Sequence, residues 1–246
     1  MNRRVILKQF AAAAGIVSAP VLALAQRYEI REDFSASMAN WWVEGGERVW
    51  VEDGRLHMKA DNPKVPGGAV ATAWLRTPVT GDFRLEVDAQ VVSSSLDVNN
   101  INLFFCYSDP AGKPLEATRE SRGGAEYNLY HSLNGYIVTF LNDAAAEGGR
   151  YPDGSTKARC RIRRNPGFHL LSETFDGRCR QGTTYRVGIE KRGGNIDLSI
   201  DGRSALRAVD PEPLREGLIG LRTYRTYLWW DNLRVTSLAA AAQRER

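Results

Sequence analysis

Phe83-Arg84-Leu85-Glu86-Val87-Asp88-Ala89-Gln90-Val91 alternates without a break, every odd position apolar and every even one polar. A period of two places all the apolar side chains on one face of an extended strand and the polar ones on the other. Further along, Tyr185, Val187 and Ile189 are answered by Ile196, Leu198 and Ile200 across Gly193-Gly194-Asn195, which predicts a hairpin with the same kind of buried face. Working outward from these two, strands are predicted over Arg48–Val51, Arg55–Met58, Ala69–Leu75, Ile101–Tyr107, Tyr127–Leu133, Tyr136–Leu141, Cys160–Arg163, Phe168–Leu171, Leu218–Tyr224 and Leu228–Val235. No sustained helical period interrupts them. So many short strands without crossover helices require two packed sheets or a barrel. The expected fold is all-β, a jelly-roll sandwich of two antiparallel sheets, forming one domain over 26–237 with an Ala-rich flexible tail at 238–246.

The first 25 residues differ from this body. Arg3, Arg4 and Lys8 precede an apolar stretch from Phe10 to Leu24, and small residues surround Ala23-Leu24-Ala25. That is the anatomy of a signal peptide cleaved before Gln26. The apolar stretch, interrupted by Gly15 and Pro20, is shorter than the ~20 residues of a membrane span. Arg3-Arg4-Val5-Ile6-Leu7-Lys8 resembles the twin-arginine export motif, with Asn2 where that motif has Ser or Thr. A periplasmic or secreted protein is expected, with the translocase as a transient partner and no stable membrane anchor. Setting the three basic residues aside leaves 30 Lys and Arg against 29 Asp and Glu. So balanced a body offers no field for nucleic acid.

Cys106, Cys160 and Cys179 lack metal-site spacing. Cys106, inside Leu103-Phe104-Phe105-Cys106, reads as a buried small hydrophobe, and Cys160 with Cys179 is open to pairing in an oxidising compartment without folding requiring it. No His pair at i, i+4 and no EF-hand loop is present, so neither a metal nor a cofactor is assigned. Asp109-Pro110 and Asp153-Gly154 read as plain turns.

Trp229-Trp230-Asp231-Asn232-Leu233-Arg234-Val235 resembles the last strand of concanavalin-like lectin and glucanase domains, and Trp41-Trp42-Val43-Glu44-Gly45-Gly46 followed by Val51-Glu52-Asp53-Gly54-Arg55-Leu56 resembles their first hairpin. Glu44-Gly45-Gly46, Leu103-Phe104-Phe105, Tyr130-His131-Ser132 and Cys160-Arg161-Ile162-Arg163-Arg164 leading to Gly167-Phe168-His169-Leu170 together resemble the YesU-like family of that superfamily; Gly217-Leu218-Ile219-Gly220-Leu221-Arg222 extends the match. The resemblance implies a concanavalin-like fold and an association with breakdown of plant cell-wall polysaccharide, particularly rhamnogalacturonan. It supplies no mechanism, so the chemistry rests on residues.

A sandwich of this kind offers a concave sheet whose alternate positions line a sugar groove. On the predicted strand through Glu126-Tyr127-Asn128-Leu129-Tyr130-His131, the polar side carries Glu126, Asn128 and Tyr130 and is placed on that groove; the competing reading is a solvated outer surface. Only three histidines exist, His57, His131 and His169. An imidazole beside a tyrosine suits removal of the proton next to a uronate carboxylate, so His131, Tyr130, Asn128 and Glu126 are the catalytic candidates. Tyr130 and His131 meet on one side only if the chain turns at Ser132-Leu133-Asn134-Gly135. Neutralising the carboxylate falls to Asn128 and an arginine from Arg119, Arg122 or Arg163. Tyr136, His169, Arg222, Tyr224 and Arg225 complete the binding candidates, with His169, between Phe168 and Leu170-Leu171, reading as a packed, partly buried residue rather than a catalytic one. Around Trp230 and Leu228 a core role competes with a ligand role. Hydrolysis would need two carboxyl groups about 5–10 Å apart, for which Glu126 and Glu173 are available. The alternating paired acids of the superfamily's glucanases, E-x-D-x-x-E, are absent. The expected function is cleavage of acidic wall poly- or oligosaccharide by β-elimination, with a non-catalytic lectin-like module and an unusual hydrolase as alternatives.

Overall fold

A computed structural model of the protein describes residues 27–35, 37–142 and 150–239; the expected export segment and most of the tail lie outside them. Among the described residues sixteen strands follow in chain order: β1 Glu29–Glu32, β2 Trp41–Gly45, β3 Arg48–Glu52, β4 Arg55–Ala60, β5 Val70–Leu75, β6 Val79–Thr80, β7 Phe83–Ser93, β8 Ile101–Ser108, β9 Asn134–Asn142, β10 Ala158–Asn165, β11 His169–Thr174, β12 Thr184–Arg192, β13 Asn195–Ile200, β14 Arg203–Val209, β15 Glu216–Tyr224 and β16 Thr226–Ser237. They form two sheets, β14-β13-β12-β7-β16-β4-β3 with β1 on β16, and β11-β10-β9-β8-β15-β5-β2 with β6 on β15. Every pairing between these strands is antiparallel, as in the expected jelly-roll sandwich.

The alternating stretch becomes β7, near the middle of the first sheet, with Phe83, Leu85, Val87, Ala89 and Val91 fully buried. The predicted hairpin pairs Ile189 with Leu198 and Val187 with Ile200. Facing them across the sandwich are Leu103 and Phe105 of β8, Val138 and Phe140 of β9, and Ile219 and Leu221 of β15. Leu228 and Trp230 join this core, so the core reading holds for both.

The second sheet is apolar on both faces, which is why β8 reads as a continuous run and not as an alternation. Its outer face carries Trp42, Trp74, Phe104 and Ile137, and these pack under Leu115, Tyr130 and Leu133 of the connection between β8 and β9. That connection contains two 3-10 helices, Leu115–Arg122 and Tyr127–Tyr130. The strand expected over Tyr127–Leu133 is therefore corrected. Its run of Tyr and Leu packs down as a turn, and the next strand starts only at Asn134. Of the expected opening hairpin, Val51–Leu56 forms the turn between β3 and β4, while β2 is corrected to the other sheet. The chain crosses at Gly45, whose φ is +67° and where a Cβ would stand 2.4 Å from the Val70 carbonyl oxygen; only glycine fits there.

Candidate functional site

Strand register places one residue from each of seven strands in a row on the outer face of the second sheet: Glu44, Thr72, Arg222, Asn102, Thr139, Arg161 and Glu173. Each is a polar residue inside a strand that is otherwise largely apolar or alternating. The 3-10 connection divides this row into a sealed end and an open end.

At the sealed end Glu44 is buried. One oxygen accepts hydrogen bonds from Trp74 Nε1 at 2.9 Å and from the Tyr130 hydroxyl at 2.6 Å. The other stands 2.9 Å from Arg122 Nε, a charge contact poorly angled for a hydrogen bond. Arg122 also donates to Thr118 Oγ1 at 2.8 Å and to the Leu115 carbonyl at 2.5 Å. Burial lifts the Glu44 carboxyl above its ordinary range despite these partners, and lifts the Tyr130 phenol likewise. Arg122 and Tyr130, two of the expected site residues, thus pin the connection to β2.

In the middle of the row Arg222 is 1% exposed. Its Nη1 donates to Thr72 Oγ1 at 2.8 Å, and its guanidinium lies 4.4 Å from the centre of the Tyr127 ring and 5.2 Å from that of Tyr130. The Tyr127 hydroxyl accepts a hydrogen bond from Asn102 Nδ2. Tyr127 then meets Phe168 with ring centres 5.4 Å apart, and the Arg163 guanidinium covers Phe168 at 4.2 Å. A ladder of arginine, two aromatic rings and arginine therefore crosses the sheet.

At the open end Arg161 and Arg163 are half-buried on β10, two positions apart and so on the same face. Burial, then the neighbouring charge of Arg161, hold the Arg163 guanidinium below its usual range. Glu173 is drawn aside by Arg159, whose Nε lies 2.8 Å from it. Among the described residues Arg161, Arg163 and Arg222 have no carboxylate within ion-pair distance. Arg161 Nε, Arg163 Nε, Arg222 Nε, Asn102 Oδ1 and Thr139 Oγ1 are all buried without a hydrogen-bond partner. Buried polar atoms are normally satisfied, so this contiguous set marks where polar groups concentrate beneath the open end.

The other expected residues are dispersed. Glu126 and Asn128 are exposed and Tyr130 is buried, so their placement together on a groove is corrected; a 3-10 turn does not hold i, i+2 and i+4 on one side. His131 lies flat on Phe168, ring centres 4.4 Å apart, with Nε2 buried and unpartnered. Burial, then Arg163, push its imidazole below its ordinary range. The chain does turn after it, yet the hydroxyl of Tyr130 goes to Glu44. Tyr136 belongs to the inner core, donating to Asp210 at 2.5 Å. His169 is exposed at the start of β11, which corrects its packed reading. Arg119 is exposed, 3.8 Å from Glu116. Arg225 is bound to Asp61 at 3.1 Å, and Tyr224 is exposed. Among the expected residues Arg222 and Arg163 form part of the ladder, and Tyr130 and His131 lie against it. Thr72, Asn102, Thr139, Arg161 and Tyr127 were missed as site residues, although each polar one interrupts an apolar or alternating strand. Glu44, noted only for its family match, was missed as well.

A family model described as "Domain of unknown function (DUF6250)" matches residues 65–233. No curated protein matches the chain. Among solved structures it is similar to a protein of unknown function with a galectin-like fold from Bacillus subtilis, at 20% identity and TM-score 0.68, over 88% of this chain and 100% of that one. It is also similar to the carbohydrate-binding module CBM66 from Bacillus subtilis (15% identity, TM-score 0.54, 79% of this chain and 94% of that one). A Bacillus licheniformis β-glucanase aligns at 10% identity and TM-score 0.55, over 87% of this chain and 98% of that one. These likenesses establish a galectin- and concanavalin-like jelly roll.

Proposed function

The chain belongs to the DUF6250 family of unknown function, and we propose that it is an exported protein that binds acidic saccharide at the open end of its second sheet. The observation that carries this is the group of three guanidinium groups, Arg161, Arg163 and Arg222, on one sheet face without a carboxylate partner among the described residues. A guanidinium without a counter-charge is costly when buried, as Arg222 is, and less so when half-buried, as Arg161 and Arg163 are; a ligand carboxylate would supply that charge. Arginine presents a planar fork that matches a carboxylate, and the flanking Tyr127 and Phe168 give apolar ring faces against which a sugar packs. The fold relatives include a carbohydrate-binding module and a glucanase by name, and the residues that resemble the YesU-like family point to the same ligand class.

Titration with oligogalacturonate and with a neutral oligosaccharide of equal length, followed by calorimetry, tests this. The acidic sugar is expected to bind and the neutral one not. Arg161→Ala and Arg163→Ala are each expected to weaken binding by about 10- to 100-fold, the value of a charge-assisted hydrogen bond of about 1.5–3 kcal/mol. Equal affinity for the neutral sugar would refute the reading.

A further inference from the structure

The arginine ladder contains one group able to carry a proton to and from a bound sugar. Tyr127 is half-buried between Arg222 and Phe168, and its hydroxyl accepts from Asn102 Nδ2 while no described residue accepts the hydroxyl's own proton. Asn102 is fully buried and keeps its Oδ1 unpartnered, so its amide is fixed in the sheet with only the tyrosine to serve. Of the neighbouring candidates Tyr130 is committed to Glu44 and Glu173 to Arg159, while His131 lies outside the ladder, stacked on Phe168 with its Nε2 buried.

We propose that Tyr127 is the catalytic residue of an elimination reaction on a carboxylate-bearing sugar, a role that rests on the acidic-saccharide reading above. With the sugar carboxylate against Arg161 and Arg163, the carbon beside it becomes acidic because those charges stabilise the carbanion-like transition state. The Tyr127 oxygen takes the proton from that carbon as its own hydroxyl proton passes to the departing glycosidic oxygen. The electron pair left on carbon forms a carbon–carbon double bond as the adjacent carbon–oxygen glycosidic bond breaks. The residue ends as the phenol it began as. Atoms and charge balance without water, metal or redox partner. Asn102 holds the phenolic oxygen in position throughout, and is a positioning residue.

The experiment offers the full-length mature protein homogalacturonan, the rhamnogalacturonan backbone, alginate and hyaluronan, recording calorimetric binding and absorbance near 230 nm, where the conjugated product absorbs. At least one bound polymer is expected to gain absorbance. Tyr127→Phe keeps the ring and its stacking, so binding is expected to stay within a few-fold while absorbance growth falls by ~10²–10⁴, the contribution of a positioned acid–base group. Arg203→Gln, at an exposed position on β14 of the first sheet, is expected to turn over like the parent. Binding without absorbance from any polymer overturns the inference and leaves the binding reading intact. Binding to none overturns the binding reading. Tyr127→Phe with parental turnover, or with binding and turnover lost in proportion, also overturns the inference.

Discussion

At the residue scale the buried carboxylate of Glu44 has the clearest energetic consequence. It faces Arg122, itself 3% exposed, so removing one charge strands the other in the interior. Breaking such a pair typically costs about 3–5 kcal/mol, whereas replacing both partners by apolar groups of similar volume is often neutral. Arg122→Met is therefore expected to lose about that much stability near neutral pH, and Glu44→Leu with Arg122→Met to recover most of it, as read by urea unfolding. The pH dependence has a definite sign. Burial raises the Glu44 carboxyl, so over the window from the ordinary carboxylate value up to the raised one the folded chain holds a proton that the unfolded chain has released. The contribution of Glu44 to stability is then fully present below the ordinary value and declines as pH rises through the raised one. The slope over that window is expected in the parent and absent in Glu44→Gln; an identical slope in both would assign it to other groups.

At the scale of elements the connection over 109–133 decides what the second sheet can do. It buries Trp42, Trp74 and Phe104 beneath Leu115, Tyr130 and Leu133, and leaves β10 open. The hydroxyl of Tyr130 is one of its buried anchors: Tyr130→Phe deletes a 2.6 Å hydrogen bond to a buried charge. A cost of about 1.5–3 kcal/mol is expected. If the connection opens locally, protease cleavage between 109 and 126 should accelerate while core amides keep their exchange protection. Cleavage unchanged despite lost stability would mean that the connection unfolds only with the whole. The same connection shows what was legible in the sequence. Strands with one buried face announce themselves by alternation, as Phe83 to Val91 does. A segment that packs by tertiary contact has no period of its own, so Tyr127–Tyr130 looks like a strand and folds as a turn. The row from Glu44 to Glu173 was illegible for a different reason. It is assembled from seven strands, and register between distant strands is set by packing that no local pattern encodes. The apolar runs holding Asn102 and Thr139 did carry a trace of it, since a lone polar residue in a doubly buried strand asks for a partner.

At the scale of the whole molecule, the fold closes without covalent help. Cys106, Cys160 and Cys179 are all buried and free. Burial pushes the thiols of Cys106 and Cys160 up to about 12, and that of Cys179 well above its ordinary value. Thiols in that state are poor nucleophiles, because the thiolate is the reactive form. The sandwich can therefore form in a reducing compartment, and its buried thiols resist oxidation. This is compatible with the proposed export route, because the twin-arginine pathway carries proteins already folded, and a protein whose core needed a disulfide would suit it badly. Arg3→Lys with Arg4→Lys is expected to leave the precursor in the cytoplasm, folded and competent to bind oligogalacturonate, with the parent recovered outside it shortened by about 25 residues. The measurement is fractionation followed by mass spectrometry of the mature N-terminus. Undiminished export of the double variant would assign the protein to the general secretory route, where the chain crosses unfolded and the three thiols meet an oxidising compartment before the core can bury them.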